Sequence, residues 1–442
     1  MPVSPARAAA FEILIRVERD GSFASELLQS DRQASLSTED HGLATELVMG
    51  VLRWRSLLDR AIAGASSQAI DRLDREVLTA LRIGVYQLRF LSRIPARAAL
   101  FESVEIVKAA RKRSAASFVN AVLRKISAVP AAEEDILAAP GAGPLANAAA
   151  HPRWLVERWV ASFGLTNAAR VCLYDQSMPA AAIHLDDDAV EAELRSSGIE
   201  LSPGLLLSSA RRVRLGDVTA TAAFREGRIS VQDEASQLIA LLVGSGDRIL
   251  DCCAAPGSKT RLLTRHNPAA RVVALDLHPH RVRLLRRRVA GANVLAVAAD
   301  ARRMPLRPGF DRVLADVPCS GTGTLARNPE IKWRLIPDDL RDLQARQIAI
   351  LQSALPMLSP GGRLLYSTCS LEREENEAVV ERALDTLPGF RLVDCADELA
   401  NHSRTGALAW KDVDSLIDGK CLRTLPGVHP CDGFFAAMIE AT

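Results

Sequence analysis

From Arg248 onward the chain repeats one pattern five times, a short apolar run followed by a stretch of helical periodicity. The runs are Arg248–Asp251, Arg271–Asp276, Val294–Ala298, Arg312–Asp316 and Arg363–Ser367. Buried strands alternating with helices are the signature of a parallel, doubly wound α/β sheet. Four of the five runs end at or within two residues of an aspartate: Asp251, Asp276, Asp300 and Asp316. A turn or a helix cap accounts for one such acid but poorly for four, and ligands of these sheets bind outside the carboxyl ends of the strands. The four acids are therefore candidate functional residues.

Upstream the pattern is different. Residues 5 to about 128 read as helices joined by short polar turns, with apolar spacing in Leu43, Leu47, Val51, Leu52 and again in Val77, Leu78, Leu81, Val85, Leu88. The segment from Pro130 to Pro152 is rich in Ala, Gly and Pro and marks a linker and a domain boundary. Trp154–Trp159 opens a helix. Strand-like runs at Ala181–Leu185 and Leu205–Val213 then flank a helical stretch, Val190–Ser196, in a small α/β module ending near Gly227. At 442 residues the chain exceeds what one core usually supports. The division expected is 1–140 all-α, 141–228 linker and small α/β module, and 229–442 α/β.

Charge narrows the partners. The chain carries 55 Lys and Arg against 53 Asp and Glu, so no global field would draw it onto nucleic acid. Residues 1–127 hold 19 Lys and Arg against 14 Asp and Glu, an excess gathered at Arg53/Arg55 and at Lys108/Arg111/Lys112/Arg113. The second group fits either a solvated helix end or a phosphate contact. Arg281–Arg288 alternates arginines with helical apolar positions and reads mostly as a solvated face, with one arginine left as a candidate for RNA phosphate or the cofactor edge. No apolar stretch approaches a membrane span, and charges interrupt any signal-like run near Phe11–Glu18. Eight cysteines without zinc-knuckle spacing read as reduced thiols, so no metal, no membrane and a cytoplasmic location are expected. Cys172 and Cys395 read as small buried hydrophobes. His429 and Cys431 read as a loop, since two ligands without partners make no metal site. No helix carries a sustained a/d seam, so a monomer is expected.

Asp251-Cys252-Cys253-Ala254-Ala255-Pro256-Gly257-Ser258-Lys259-Thr260 follows the first strand and opens a helix. It lacks both the dinucleotide spacing and the upstream glycine of a P-loop. Its small residues let the backbone approach a ligand, Pro256 and Gly257 fix the turn, and a bound carboxylate could use the helix N-terminus and Lys259. Asp276, twenty-five residues after Asp251, is placed to accept both ribose hydroxyls of a nucleoside. With Asp300 near an adenine edge, this suggests S-adenosylmethionine rather than a dinucleotide.

Three motifs in order carry a family resemblance: Asp-x-Cys-Ala-Ala-Pro-Gly-x-Lys-Thr at 251–260, Asp-x-Pro-Cys-Ser-Gly-x-Gly at 316–323 and Tyr-Ser-Thr-Cys-Ser at 366–370. Val231–Ser236 and Leu425–Phe435 flank them. The region resembles the RNA 5-methylcytosine methyltransferases. The helical segment resembles the antitermination factor NusB, through Arg7–Leu14, Glu46–Arg53 and Ser117–Arg124. The combination is similar to the bacterial small-subunit ribosomal RNA cytosine-5 methyltransferases, the RsmB or Sun type, and the match is weaker between about 130 and 228.

The resemblance implies a NusB-like RNA-binding domain, a Rossmann-like methyltransferase domain using S-adenosylmethionine, and small-subunit ribosomal RNA as partner. It assigns the nucleophile to Cys369 and release to Cys319. It gives the cofactor loop to Cys253, Ala254, Ala255, Pro256, Gly257, Ser258 and Lys259, the cofactor's ribose and adenine side to Asp276 and Asp300, and a place beside cofactor and base to Asp316. Ser258 stands where many members have glycine. The implied chemistry is addition of the Cys369 thiolate to cytosine carbon 6, with Asp316 sharing a proton with the ring nitrogen 3 edge, and release assisted by Cys319 as base or relay. The base must leave its stack to reach either thiol. Transfer RNA is the alternative substrate. DNA is disfavoured, because DNA cytosine methyltransferases place their nucleophile in the earlier motif. A noncatalytic RNA-binding factor on this scaffold has the intact cysteine pair against it.

Overall fold

The protein is described from a computed structural model covering residues 3–33, 35–130, 135–185, 187–289 and 293–442. The chain forms two compact units, Met1–Met178 with Leu325–Arg334, and Pro179–Thr324 with Leu335–Thr442.

In the first unit, helices Pro5–Asp20, Thr38–Ala65, Arg75–Phe90, Ala96–Ala109 and Ala116–Ser127 enclose one core. Leu47, Val51, Leu52, Val77, Leu81 and Val85 are buried in it, and Leu43, Leu78 and Leu88 pack at its margin, as their spacing predicts. Arg82 is buried yet satisfied, donating to Asp59 at 2.7 and 2.9 Å and to Glu18 at 2.6 Å. The charge cluster expected at Arg53/Arg55 is not a surface patch. Arg53 is buried and donates to the carbonyl of Ala326 at 2.9 Å, because Leu325–Arg334 packs here. Lys332 in that segment donates to the Arg53 carbonyl at 2.9 Å, and Trp333 Nε1 to the Leu52 carbonyl at 2.6 Å. Lys108 and Lys112 are paired with Glu105 at 2.7 Å and Asp74 at 2.9 Å.

Residues 131–134 of the expected linker lie outside the described residues. The rest contains a helix, Ala142–Ala148, whose Leu145, Ala146 and Ala148 are buried. The helix opened by the Trp154 run extends over Arg153–Asp175 with a break at Gly164, where φ is 78°.

The second unit contains two sheets. The smaller is antiparallel in the order β2-β3-β1-β4, with β1 Ala182–Leu185, β2 Glu200–Pro203, β3 Ala210–Leu215 and β4 Ile229–Val231. Helix Asp188–Ser196 covers it through Val190 and Leu194. The larger has the order β11-β12-β13-β9-β8-β5-β6-β7, with β10 against β13. Its parallel part comprises β5 Arg248–Asp251, β6 Arg271–Asp276, β7 Val294–Ala298, β8 Phe310–Asp316 and β9 Leu358–Thr368. The three strands on one side were read to the residue. Beyond β9 the sheet turns antiparallel through β13 Phe434–Ala441, flanked by β10 Phe390–Val393 and by β12 Cys421–Thr424, which pairs with β11 Ile417–Asp418.

The strand order reverses at β5. From it the chain runs outward to β6 and β7 on one side and to β8 and β9 on the other, so the switch point lies between β5 and β8. Asp251 and Asp316 end the two strands at that crevice, Asp276 ends β6, and Cys369 directly follows β9.

Candidate active site

The loop after β5 is stitched to both neighbouring strands. Cys252 N donates to Leu314 O at 2.9 Å and Ala254 N to Leu275 O at 2.7 Å. Gly257 has φ of 109°, and a Cβ there would meet Leu285 at 2.9 Å. Only glycine suits both demands, and helix Ser258–His266 starts from it. Cys252 is buried packing. Arg281 is the arginine of its run that reaches the site, donating to Ala255 O at 2.7 Å and standing 3.4 Å from Asp276. Arg283, Arg287 and Arg288 are exposed. Asp276 is buried and accepts from His278 N at 2.9 Å. Asp300 sits nearer the surface, paired with Arg302 at 2.7 Å.

Asp251 is fully buried. Its Oδ2 accepts from Thr260 Oγ1 at 2.8 Å and its Oδ1 has no hydrogen-bond partner. Burial, opposed by the Thr260 hydrogen bond and aided by the Asp316 charge, pushes its carboxyl up to about 7. Lys259 does not stand free for a ligand carboxylate. Its ammonium donates to Asp316 Oδ2 at 2.7 Å and lies 5.1 Å from the Phe434 ring centroid. Burial would lower its pKa, but the charge and hydrogen bond of Asp316 raise it, with Cys369 adding to the effect. Asp316 Oδ1 accepts from Ser367 Oγ at 2.8 Å, so Lys259 and Ser367 of β9 hold this carboxylate from both sides.

The two cysteines, fifty residues apart in sequence, meet. Cys319 Sγ and Cys369 Sγ are 3.2 Å apart, and Cys369 N donates to Cys319 Sγ at 3.3 Å. Both residues are half-buried. The hydrogen bond to Cys369, then burial, then the charges of Cys369, Glu375 and Asp316 hold the Cys319 thiol well above the ordinary thiol range. The closing motif abuts the same loops. Gly323 N donates to Cys369 O at 2.9 Å and Gly433 N to Gly323 O at 2.8 Å, and a Cβ on Gly323 would stand 2.2 Å from Gly433 O.

Two of the remaining cysteines lie apart from this chemistry. Cys172 and Cys395 are buried. His429 Nδ1 accepts from Leu425 N at 2.8 Å, so its Nε2 carries the proton and faces Ser415 O at 3.2 Å. Among the described residues no group of three metal-ligating side chains converges.

Sequence reading missed Ser320, Gln347, Ser367, Ser370, Glu375 and Phe434. Glu375 sits in Glu372-Arg373-Glu374-Glu375, which reads as a solvated acidic run, yet it is fully buried. The one signal was that Cys319 and Cys369, alone among the eight cysteines, are each followed by serine.

Two family models match: 16S rRNA methyltransferase RsmB/F over residues 238–440, and the NusB family over residues 4–128. The chain is 34% identical to the probable ribosomal RNA small subunit methyltransferase B of Bacillus subtilis, over 98% of each chain. It is also 34% identical to ribosomal RNA small subunit methyltransferase B of Pseudomonas putida, over 90% of this chain and 91% of that one. Among solved structures, that of PH0851 has the same fold, with a TM-score of 0.81 and 24% identity over all of this chain and 99% of that one.

Proposed function

Since the chain belongs to the RsmB/F family of ribosomal RNA small-subunit methyltransferases, we propose that it forms 5-methylcytosine in small-subunit ribosomal RNA through a covalent adduct with Cys369. The observation that carries this reading is the 3.2 Å approach of Cys319 and Cys369 beside the Lys259–Asp316 ion pair, at the carboxyl ends of β8 and β9. The helical segment 1–140 is the proposed RNA-binding domain and 229–442 the catalytic one, with the small α/β module of 141–228 between them in sequence. Its site of action is then the cytoplasm.

The cofactor loop fits S-adenosylmethionine. The orphaned, buried Asp251 Oδ1 suits a cationic ligand group, and Asp276 and Asp300 supply acceptors at the neighbouring strand ends. S-adenosylmethionine, when bound, supplies an electrophilic methyl group for carbon 5.

Carbon 5 of cytosine is a poor nucleophile. The Cys369 thiolate adds to ring carbon 6, and the electrons of the carbon 5–carbon 6 double bond pass into an enamine that carbon 5 can use. Asp316, with the Lys259 proton to share, bonds the nitrogen 3 edge and stabilises the developing charge. The charge of Cys369 is among those that hold the Lys259 proton. After methylation a base removes the carbon 5 proton, the double bond re-forms, and Cys369 leaves as thiolate.

Cys319 is timed for that last step. Its proton is held most strongly by the hydrogen bond to Cys369. Once Cys369 is a thioether on carbon 6, its charge and much of that hydrogen bond are gone. The Cys319 thiol then gives up its own proton to solvent and, as the thiolate, takes the carbon 5 proton while the carbon 5–carbon 6 double bond re-forms and Cys369 leaves.

Methyl transfer from labelled cofactor to small-subunit ribosomal RNA tests the reading, with bisulfite mapping of the product. Cys369→Ala should reduce transfer to background. Full activity in that variant would sink the assignment, and label found in transfer RNA alone would redirect the substrate.

A further inference from the structure

Each cysteine is followed by a serine, and both serines reach the same buried carboxylate. Ser370 Oγ donates to Glu375 Oε2 at 2.5 Å, and Ser320 Oγ donates to the same oxygen. Ser320 N donates to Glu375 Oε1 at 2.8 Å, where Gln347 Nε2 joins it at 2.9 Å. Glu375 is itself fixed, because its carbonyl accepts from the Tyr366 hydroxyl at 2.5 Å. The next residue, Asn376, ties the other side of Cys369. Its Nδ2 donates to Ser370 O at 2.9 Å, and its Oδ1 accepts from Thr368 Oγ1 at 2.5 Å.

These contacts converge on one geometric quantity. Cys319 and Cys369 belong to loops after different strands; besides the contacts at sulfur, the loops are joined by Gly323 N donating to Cys369 O, by Leu371 N donating to Thr322 Oγ1 at 2.9 Å, by the Ser320 and Ser370 hydroxyls 3.1 Å apart, and by the carboxylate that both serines share. A buried carboxylate needs several donors to be tolerated, and it receives four here. Two of those donors come from Ser320 and one from Ser370, so satisfying the charge fixes the distance between the loops.

We infer that Glu375 is a positioning residue, a clamp that sets the spacing of the two reacting thiols through Ser320 and Ser370 without touching substrate or cofactor. The repeated Cys-Ser pair is then one device: each serine anchors the sulfur beside it to a common point. The inference rests on the reading of Cys369 as nucleophile and Cys319 as release group.

The test has two arms. In the first, the full-length protein without RNA is treated with diamide. Two thiols give up two hydrogens to the azo group, which becomes the hydrazine, and the Cys319–Cys369 disulfide is followed by peptide mass spectrometry. In the second, kcat and KM for small-subunit ribosomal RNA and for S-adenosylmethionine are measured. Glu375→Gln keeps the size and replaces acceptor by donor. It should slow the disulfide about tenfold or more and lower kcat by about 10- to 100-fold, with both KM values held within about twofold. Ser320→Ala and Ser370→Ala each remove one partner and should show the same split more mildly. They carry the test if Glu375→Gln does not fold. Wild-type disulfide rates together with wild-type kcat in these variants would overturn the inference. A wild-type enzyme that forms no 5-methylcytosine would instead refute the functional reading, and the diamide arm would still decide the clamp.

Discussion

The proposed division of labour between the two cysteines draws on unequal surroundings for like groups. Cys319 keeps its proton because the hydrogen bond to Cys369, burial, and the charges of Cys369, Glu375 and Asp316 all oppose its ionisation, and Lys259 keeps its proton through Asp316 with Cys369 adding to the effect. Lys259 is thus tied to Asp316, and the Phe434 ring limits where its ammonium can sit. Lys259→Met preserves the stem and removes the charge. It should cut methyl transfer by about 100-fold or more, because it deprives the developing ring charge of its cation. The same variant should bind S-adenosylhomocysteine within a few-fold of wild type by calorimetry. A large loss of cofactor affinity with little change in transfer rate would return Lys259 to the cofactor-binding role that its place in the motif suggests.

At the scale of elements, what could be read from the sequence depended on how local its cause is. Strands β5 and β6 are short, largely buried runs and β7 an apolar run at the sheet edge, all bounded by polar turns, and composition alone marks their ends. β9 extends further, over Leu358–Thr368, because Leu358 pairs with Phe310 of β8 across a register shift that takes in Ser359, Pro360 and two glycines, which carry no strand signal. The antiparallel continuation was not foreseen. Phe434–Ala441 has the apolar run of a buried strand, but its antiparallel place beside β9 is set by contacts made across more than sixty residues of sequence. The Ala-rich stretch before Arg153 reads as a linker because alanine and glycine give weak periodicity, yet small residues are what a close helix contact needs. At the site, motif residues were legible because their chemistry is rare. Glu375 and Arg53 were not, since a charged residue is ordinarily exposed and only the fold supplies the partners that allow burial.

At the scale of the whole molecule, the chain path matters. Leu325–Arg334 follows the Cys319 loop in sequence but is built into the helical unit, where Lys332 is fully buried. Burial pushes its ammonium down to about 7, against the opposing charge of Asp175. The folded protein therefore binds fewer protons than the unfolded chain between that value and the ordinary lysine pKa of about 10, and stability from this group rises with pH across that window. Lys332→Met cannot titrate, so chemical denaturation at a series of pH values should show wild type gaining on the variant from pH 7 to about 10. A constant difference would mean that Lys332 keeps an ordinary pKa in the fold.

The central claim is that Cys369 attacks and Cys319 releases, and it is tested most directly by trapping. The Cys319→Ala protein, incubated with small-subunit ribosomal RNA and S-adenosylmethionine, should accumulate a complex that survives denaturing electrophoresis. Mass spectrometry should place the crosslink at Cys369, and the complex should vanish in the Cys319→Ala/Cys369→Ala double variant. Absence of any such complex under conditions where wild type turns over, or a crosslink at a residue other than Cys369, would contradict the account.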